Sequence, residues 1–129
     1  MASGYSARYE ELRVRTFEFA RRIVRLFRAL PRTEEARTLG KQFLRSGTSV
    51  GANYRAVCRS RSRADFIAKL NIVLEEADET KYWLDLLVAE SIVPAPKLGK
   101  LQEECEELVR IFAASLLTAE TNASSKTPK

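Results

Sequence analysis

The chain has 129 residues, which is enough for one domain with its own core, and its 45% hydrophobic and 30% charged residues are ordinary for a globular protein. It has no histidine and only two cysteines, so it lacks the residues for histidine bases, Ser-His or Cys-His pairs, histidine-containing metal sites and four-thiolate sites. The net charge of +5 is unevenly distributed, because residues 8–63 carry +10 and residues 64–129 carry −5.

Two helices are predicted in the basic half. The first runs from about Tyr9 to Ala29 and is terminated by Pro31. The second runs from about Glu34 to Val57, and Thr33 is placed to cap its first turn.

Two more helices are predicted in the acidic half. The third runs from about Arg63 to Glu90, with Ser62 as its cap, and the fourth runs from about Lys97 to Ala119 after the break at Pro94 and Pro96. We therefore expect a bundle over residues 8–120, with disordered ends at residues 1–7 and 121–129. Without a signal sequence or a long apolar run, we expect a cytoplasmic protein with no membrane partner.

Each segment carries an apolar stripe with helical spacing. The third stripe runs from Phe66 through Leu87 and the fourth from Leu98 through Ser115. The first comprises Leu12, Phe17, Ala20, Ile23, Val24, Phe27 and Leu30, and the second comprises Ala36, Gly40, Phe43, Gly47, Val50, Tyr54 and Val57. Four such stripes with short connections predict an all-α fold, an antiparallel up-and-down four-helix bundle.

Three glycines lie inside the second predicted helix, at Gly40, Gly47 and Gly51. Each costs roughly 1 kcal/mol relative to alanine in a helix, which favours a close approach of two helix backbones. A phosphate-binding loop is the alternative, but residues 46–51 lack the Gly-Lys-Ser/Thr ending and a preceding strand.

A band of basic side chains lies off the apolar stripes of the first two helices. Arginine forks suit phosphate oxygens, so these side chains are predicted to bind nucleic acid. The predicted nucleic-acid-binding residues are Arg15, Arg21, Arg22, Arg25, Arg28, Arg37, Lys41, Arg45, Arg55, Arg59, Arg61 and Arg63. They would form one contiguous band if the two helices are neighbours, and a merely solvated face is the alternative.

The third predicted helix has a second apolar surface away from its stripe. Ile72, Tyr82, Trp83 and Leu86 point outward at 100° per residue, which predicts an oligomer interface. The alternative places the Trp83 ring at the flank between two helices.

Two features bear on enzyme chemistry. Cys58 lies near the arginine-rich turn of residues 59–63, which could lower its pKa, but no base lies nearby in sequence. Residues 75–79 read Glu-Glu-Ala-Asp-Glu, the pattern of helical nucleotide pyrophosphohydrolases that resemble MazG, although Glu103 and Glu106 give E-x-x-E where that family has E-x-x-D. We expect no catalytic residue, no metal and no cofactor.

Residues 44–56, 62–74 and 75–87 resemble, in order and spacing, the four-helix-bundle family of proteins encoded in intervening sequences of bacterial 23S rRNA genes. This resemblance implies a cytoplasmic homo-oligomer, commonly a ring of five protomers. The family includes the accessory variability determinants of diversity-generating retroelements, which bind nucleic acid and a reverse transcriptase. It also implies packing roles for Ser46, Gly47, Val50, Gly51 and Asn53, and we expect Asn53 and Asn71 to form buried hydrogen bonds between helices.

The sequence therefore predicts a non-enzymatic oligomeric protein that binds RNA or an RNA–protein complex. The resemblance implies that the oligomer is a pentamer and that a reverse transcriptase is a candidate partner. A protein-interaction scaffold without nucleic-acid binding is the second hypothesis. A magnesium-dependent nucleotide pyrophosphohydrolase is the third.

Overall fold

The computed structural model describes the backbone of residues 2–125 and the side chains of residues 7–122. Over these residues it contains four α-helices and no strand. The helices are α1 (Ala2–Ala29), α2 (Glu34–Val57), α3 (Arg63–Ala89) and α4 (Ala95–Ser125).

The inner helix boundaries have recognisable caps. The Thr33 hydroxyl accepts a hydrogen bond from the Ala36 backbone N–H, and Ser62 does the same for Asp65, as the sequence predicted. After α3, Ser91 adopts a left-handed conformation with φ of 58°, and the Ile92 N–H returns to the Leu87 carbonyl at 3.0 Å. This Schellman-type ending satisfies the last carbonyls of α3 and turns the chain toward α4.

The outer helices are longer than predicted. α1 begins at Ala2 rather than near Tyr9, and α4 spans Ala95–Ser125 rather than residues 97–119. Pro96 lies in the first turn of α4, where its missing N–H costs no helical hydrogen bond. The two helices thus extend into the ends at residues 2–7 and 121–125, whose disorder stays a prediction, while Met1 and residues 126–129 lie outside the described residues.

Consecutive helices pack against each other and run antiparallel. α2 packs between α1 and α3, α4 packs on α3, and α1 and α4 touch over a much smaller area. On the α3–α4 side, Asp85 pairs with Gln102 and Lys81 lies 3.6 Å from Glu106, so residue numbers rise on one helix as they fall on the other. The predicted up-and-down bundle is thus present as a single chain.

The core follows the predicted stripes on three helices. Every predicted stripe residue of α2 is buried, as are those of α3 and α4 apart from the half-buried Phe66 and Ser115. On α1 the prediction was wrong at Phe17, whose side chain is 63% exposed, whereas Thr16 and Phe19 are buried. The face of α1 that meets α2 and α4 is centred on Ile23, and Phe17 lies well off that face.

The α2 glycines allow α1 to approach closely. A Cβ atom at Gly47 would lie 2.7 Å from Cγ1 of Ile23, a side chain that is fully buried. At Gly51 the nearest atom would be the Thr16 backbone carbonyl oxygen, at 3.1 Å. The predicted close approach of α1 and α2 is confirmed, and no glycine of the described chain has positive φ.

The two asparagines do not join helices. Asn53 donates to the Ser49 carbonyl of its own helix at 2.9 Å, and Asn71 is exposed. The expected buried amide bonds are therefore wrong, and the buried polar link between α2 and α3 is instead the contact of Thr80 Oγ1 with Ser46 Oγ at 2.9 Å. Over the described residues, no helix is both long and apolar enough to cross a membrane.

Candidate nucleic-acid interface

Arg15 forms a bidentate ion pair with a carboxylate of α4 and therefore does not belong to the free basic surface. Its Nε and Nη2 atoms each lie 2.9 Å from an oxygen of Glu104, and both side chains are largely covered. Hydrogen bonding to Glu104 raises the pKa of the Arg15 guanidinium above its ordinary value. Because α4 folds back onto this flank of α1, Arg15 serves to join the two terminal helices rather than to meet a polyanion.

Arg45 is engaged on the α3 side of α2. Its guanidinium contacts Glu79 and lies 3.3 Å from Glu76, and the Trp83 indole N–H donates to Glu79 at 3.0 Å. The hydrogen bond from Arg45, followed by that from Trp83, lowers the pKa of the Glu79 carboxyl. Two carboxylates thus compensate the charge of Arg45.

The same contacts bear on the pyrophosphohydrolase hypothesis. Of its carboxylates, Glu76 and Glu79 hold a guanidinium, and Glu75 is exposed on the outer side of α3. Among residues with described side chains, no three acidic, cysteine or histidine side chains are grouped to hold a metal ion.

A third predicted residue, Arg21, forms an exposed ion pair with Glu18 of its own helix at 3.0 Å. Such a pair in open solvent is worth little and breaks easily. Arg21 is therefore accessible, but its charge is balanced locally.

The remaining predicted basic side chains form no ion pair within the described part of the chain, and all of them except Arg22 fall into two groups at opposite ends of α2. The first basic cluster surrounds the α1–α2 turn and comprises Arg25, Arg28, Arg37 and Lys41, joined by Arg32 of the turn itself. The second basic cluster surrounds the α2–α3 turn and comprises Arg55, Arg59, Arg61 and Arg63. Arg22, half-buried on α1, is also without an ion pair.

The expected contiguous band is therefore replaced by two clusters. α1 and α2 are indeed neighbours, but Lys41 and Arg55 are separated by about 21 Å of helix axis. The one basic residue of α2 between them is Arg45, which α3 engages. The surface keeps a net positive charge only where no acidic side chain pairs with the basic ones. The packing order of the helices determines where the acidic side chains lie.

Sequence reasoning missed Arg32 because it lies in the turn, outside any helical face. It also missed Arg8 and Arg110, which come together with the second turn only because the start of α1 and the end of α4 meet there. This arrangement could have been inferred from the sequence, because in an antiparallel four-helix bundle the start of the first helix and the end of the fourth lie at the same end as the second turn.

Depressions accompany the basic clusters. A shallow one on α1 is lined by Phe17, Ala20 and Val24 with Arg21, Arg25 and Arg28 around them. At the second cluster a groove on the α2–α3 side is lined by arginines, Asp65 and Lys69, and the adjacent end of the bundle contains a cavity with both polar and apolar lining residues.

The predicted oligomer surface divides into two pairs. Ile72 and Tyr82 are 45% and 59% exposed, as expected. Trp83 and Leu86 are partly buried, and Trp83 packs against the core beside its contact with Glu79. The expectation of an exposed tryptophan is wrong, because its large ring turns to the α2 flank of α3 instead of outward.

The cysteine thiols are not activated. Cys58 is half-buried, and burial raises its pKa more than nearby Arg13 lowers it, so the predicted lowering by the arginine-rich turn is wrong. Cys105 is fully buried, which raises its pKa to about 12, in line with a small hydrophobic residue of the core.

The comparisons with known proteins agree on one family. A family model described as 23S rRNA-intervening sequence protein matches residues 10–114. Among solved structures, a protein of unknown function from the S23 ribosomal protein family of Bacteroides thetaiotaomicron VPI-5482 is 39% identical, with a TM-score of 0.75 over 81% of this chain and 96% of that chain. No curated protein matches the chain. The matched stretch covers the greater part of all four helices, and on this evidence the chain belongs to the family of 23S rRNA-intervening sequence proteins.

Proposed function

We propose that this protein binds nucleic acid, with RNA as its ligand, through the phosphate-directed contacts of the two basic clusters. The observation that carries the proposal is that Arg25, Arg28, Arg55 and Arg59 form no ion pair within the described residues, and that Asp65, which lines the groove with Arg55 and Arg59, pairs with Lys69. Unpaired guanidiniums at a surface keep their full charge for phosphate oxygens.

Binding of this kind has a defined signature. Phosphate contacts carry no sequence information, so selectivity between sequences should be weak. Each neutralised phosphate releases counterions, so affinity should fall steeply with salt. The two clusters lie at opposite ends of α2, so a single ligand that contacts both must run along that helix.

The test uses three double variants that each remove two positive charges. Arg25→Gln/Arg28→Gln disrupts the first cluster, Arg55→Gln/Arg59→Gln disrupts the second, and Arg13→Gln/Arg21→Gln is the matched control because both its residues are ion-paired within α1. Affinity for labelled RNA and DNA is measured at about 50 mM and about 200 mM salt.

The cluster variants should each lower the salt slope by about one unit per lost contact, and the control should change it far less. If the wild-type protein binds neither RNA nor DNA at low salt, the nucleic-acid proposal is refuted and the scaffold hypothesis replaces it. If the cluster variants show the same affinity and salt slope as the control, the two clusters are not the binding surface.

We also propose that the chain assembles with itself, α3 of one copy meeting α1 of the next. The outer side of α3 presents Ile72 and Tyr82 beside the unpaired acids Glu75 and Asp78. The outer side of α1 presents Val14 and Phe17, 50% and 63% exposed. Exposed apolar surface on two different faces suits a heterologous contact, which closes into a ring when the rotation allows.

Size-exclusion chromatography with light scattering tests this assembly. Tyr82→Ala and Phe17→Asp should each release smaller species, whereas Leu117→Asp, an exposed position on α4 outside both faces, should not. Trp83 is a poor choice for this test because its truncation also removes a contact to Glu79 within the chain. A wild-type monomer at micromolar concentration would rule the assembly out, and the number of five protomers and a reverse transcriptase partner stay predictions.

A further inference from the structure

A cavity opens at the end of the bundle where α1 and α3 begin and α2 and α4 end. Its volume is about 950 Å³, in the range of sites that bind small organic molecules. Tyr54 and Phe112 are among its lining residues, with ring centroids 5.6 Å apart, but at 2% and 0% exposure they present almost no surface to a ligand. Tyr9 and Phe66, both half-buried, also line the cavity. The cavity thus offers the accessible parts of the Tyr9 and Phe66 side chains to a flat apolar group.

The mouth of the cavity is basic. Arg61 and Arg63 of the α2–α3 turn line it and form no ion pair among the described residues. Arg8 and Arg110 line it as well, each with a loose pair at 3.7 Å to a glutamate of its own helix, and the partner of Arg110, Glu107, is the one acid that lines the cavity among the described residues. Exposed pairs of this length hold a guanidinium weakly, so these side chains can turn to a bound anion at small cost.

A basic groove continues from the cavity around the turn. Arg55, Arg59 and Lys69 line the groove, while Arg61 and Ser62 line both the groove and the cavity. Lys69 is paired with Asp65 at 2.9 Å, so the unbalanced charge of the groove comes from the arginines. The α2–α3 turn therefore connects the arginines of the groove to the cavity.

We propose that the end cavity takes the base of an unpaired nucleotide, with its phosphate on Arg61 and Arg63 and the neighbouring phosphates along Arg55 and Arg59. This deepens the proposed function and rests on it. A base inside a duplex is stacked and cannot enter, whereas an unpaired base can pack on aromatic rings. The cavity therefore gives the second cluster a preference for single-stranded ligand that arginines alone do not provide.

The nucleotide could be free or part of an RNA strand, and the thiol of Cys58 reports on both. Cys58 lines the cavity, whereas Cys105 is buried in the core at the α3–α4 contact and serves as the internal reference. The full chain is alkylated alone, with adenosine monophosphate, with a single-stranded oligoribonucleotide, and with the duplex of the same sequence. Affinities for the strand and the duplex are measured in parallel.

The strand should bind about tenfold more tightly than the duplex and should slow alkylation of Cys58. Phe66→Leu should remove most of that preference while leaving the duplex affinity unchanged. Arg61→Gln should lower the affinity for the single strand, and because Arg61 lies on the exposed turn, this change should not disturb the core. The controls Phe17→Leu and Arg25→Gln, an exposed ring and an arginine distant from the cavity, should leave the preference intact.

The outcomes separate the two proposals. Equal affinity for strand and duplex with unprotected Cys58 overturns the cavity inference and leaves nucleic-acid binding standing. Protection by the monophosphate in a protein that binds no strand supports a nucleotide cavity and overturns the proposed function. No binding and no protection overturn both.

Discussion

α2 packs against its two neighbours by different means. Toward α1 it presents glycines, and Ile23 fills the space above Gly47 so closely that an added Cβ would overlap it. Toward α3 it presents polar groups, with Ser46 against Thr80 in the core and Arg45 against Glu79 at the surface. At the glycines, the α1–α2 contact depends on close steric fit, so an added atom should be poorly tolerated. At Ser46 and Arg45, the α2–α3 contact includes hydrogen bonds and an ion pair, so loss of one partner should lower the free energy of unfolding only moderately.

Filling the α1 side should have the largest effect. Gly47→Leu must displace the fully buried Ile23, so we expect a loss of about 3 kcal/mol or more in the free energy of unfolding, as for severe overpacking. Denaturant titration followed by circular dichroism measures it. A loss under about 1 kcal/mol would mean that α1 moves away freely, and the contrast between the two sides would disappear.

A single methyl group tests the same side more finely. Gly47→Ala should destabilise by about 1 to 2 kcal/mol because the contact with Ile23 outweighs the gain in helix propensity. Gly99→Ala in α4 is the matched control, since a Cβ there meets nothing within 4 Å. It should stabilise the protein by up to about 1 kcal/mol, so the two thermal melts should shift in opposite directions.

Removing a hydroxyl tests the α3 side. Thr80→Val keeps the shape but takes away the Thr80 partner of the buried Ser46 hydroxyl, which keeps only its 3.5 Å contact with the Phe43 carbonyl, at a cost of about 1 kcal/mol. Thr48→Val, which loses only a bond to its own helix, should cost less than about 0.5 kcal/mol. The double variant Ser46→Ala/Thr80→Val should cost less than the two single changes together, and strict additivity would argue against the pairing.

The surface pair of Arg45 and Glu79 should contribute least and should depend on pH. The pKa of Glu79 is below its usual value of 4.5 in the folded protein, so its stabilising effect is present above about pH 4.5 and is lost as the pH falls through the lowered value. Because both side chains are more than a third exposed, we expect a few tenths of a kcal/mol. Urea titrations of wild type and Glu79→Gln should differ near neutral pH and converge in acid, and a constant gap would assign the effect to something other than charge.

Local patterns were sufficient for the helices and most of the core. The stripe of α2 is buried throughout, and Thr33 and Ser62 cap the helices that they were expected to cap. These features follow from spacing and from the nearest backbone N–H groups, which a sequence displays directly. The start of α1 was not predicted as well, because no proline or clear cap marks where this terminal helix begins.

The candidate site could be predicted only in part. The arginines were recognised as an excess of one charge, but Arg15 and Arg45 are held by Glu104 and Glu76, which are 89 and 31 positions away along the chain. Which arginines stay unpaired depends on distant carboxylates, so the clusters could not be derived from helical faces alone.

By itself the sequence determined four amphipathic helices, their order, the glycine contact and the concentration of arginine in the first half, because each of these depends on spacing or composition. Only the tertiary structure decided that Trp83 turns inward, that the basic band divides in two, and that Tyr9, Phe66 and Arg110 meet around one cavity. The physical reason is the same in each case: charge balance and cavity shape depend on groups brought together by folding, and helix packing fixes those neighbours at distances that no local pattern contains.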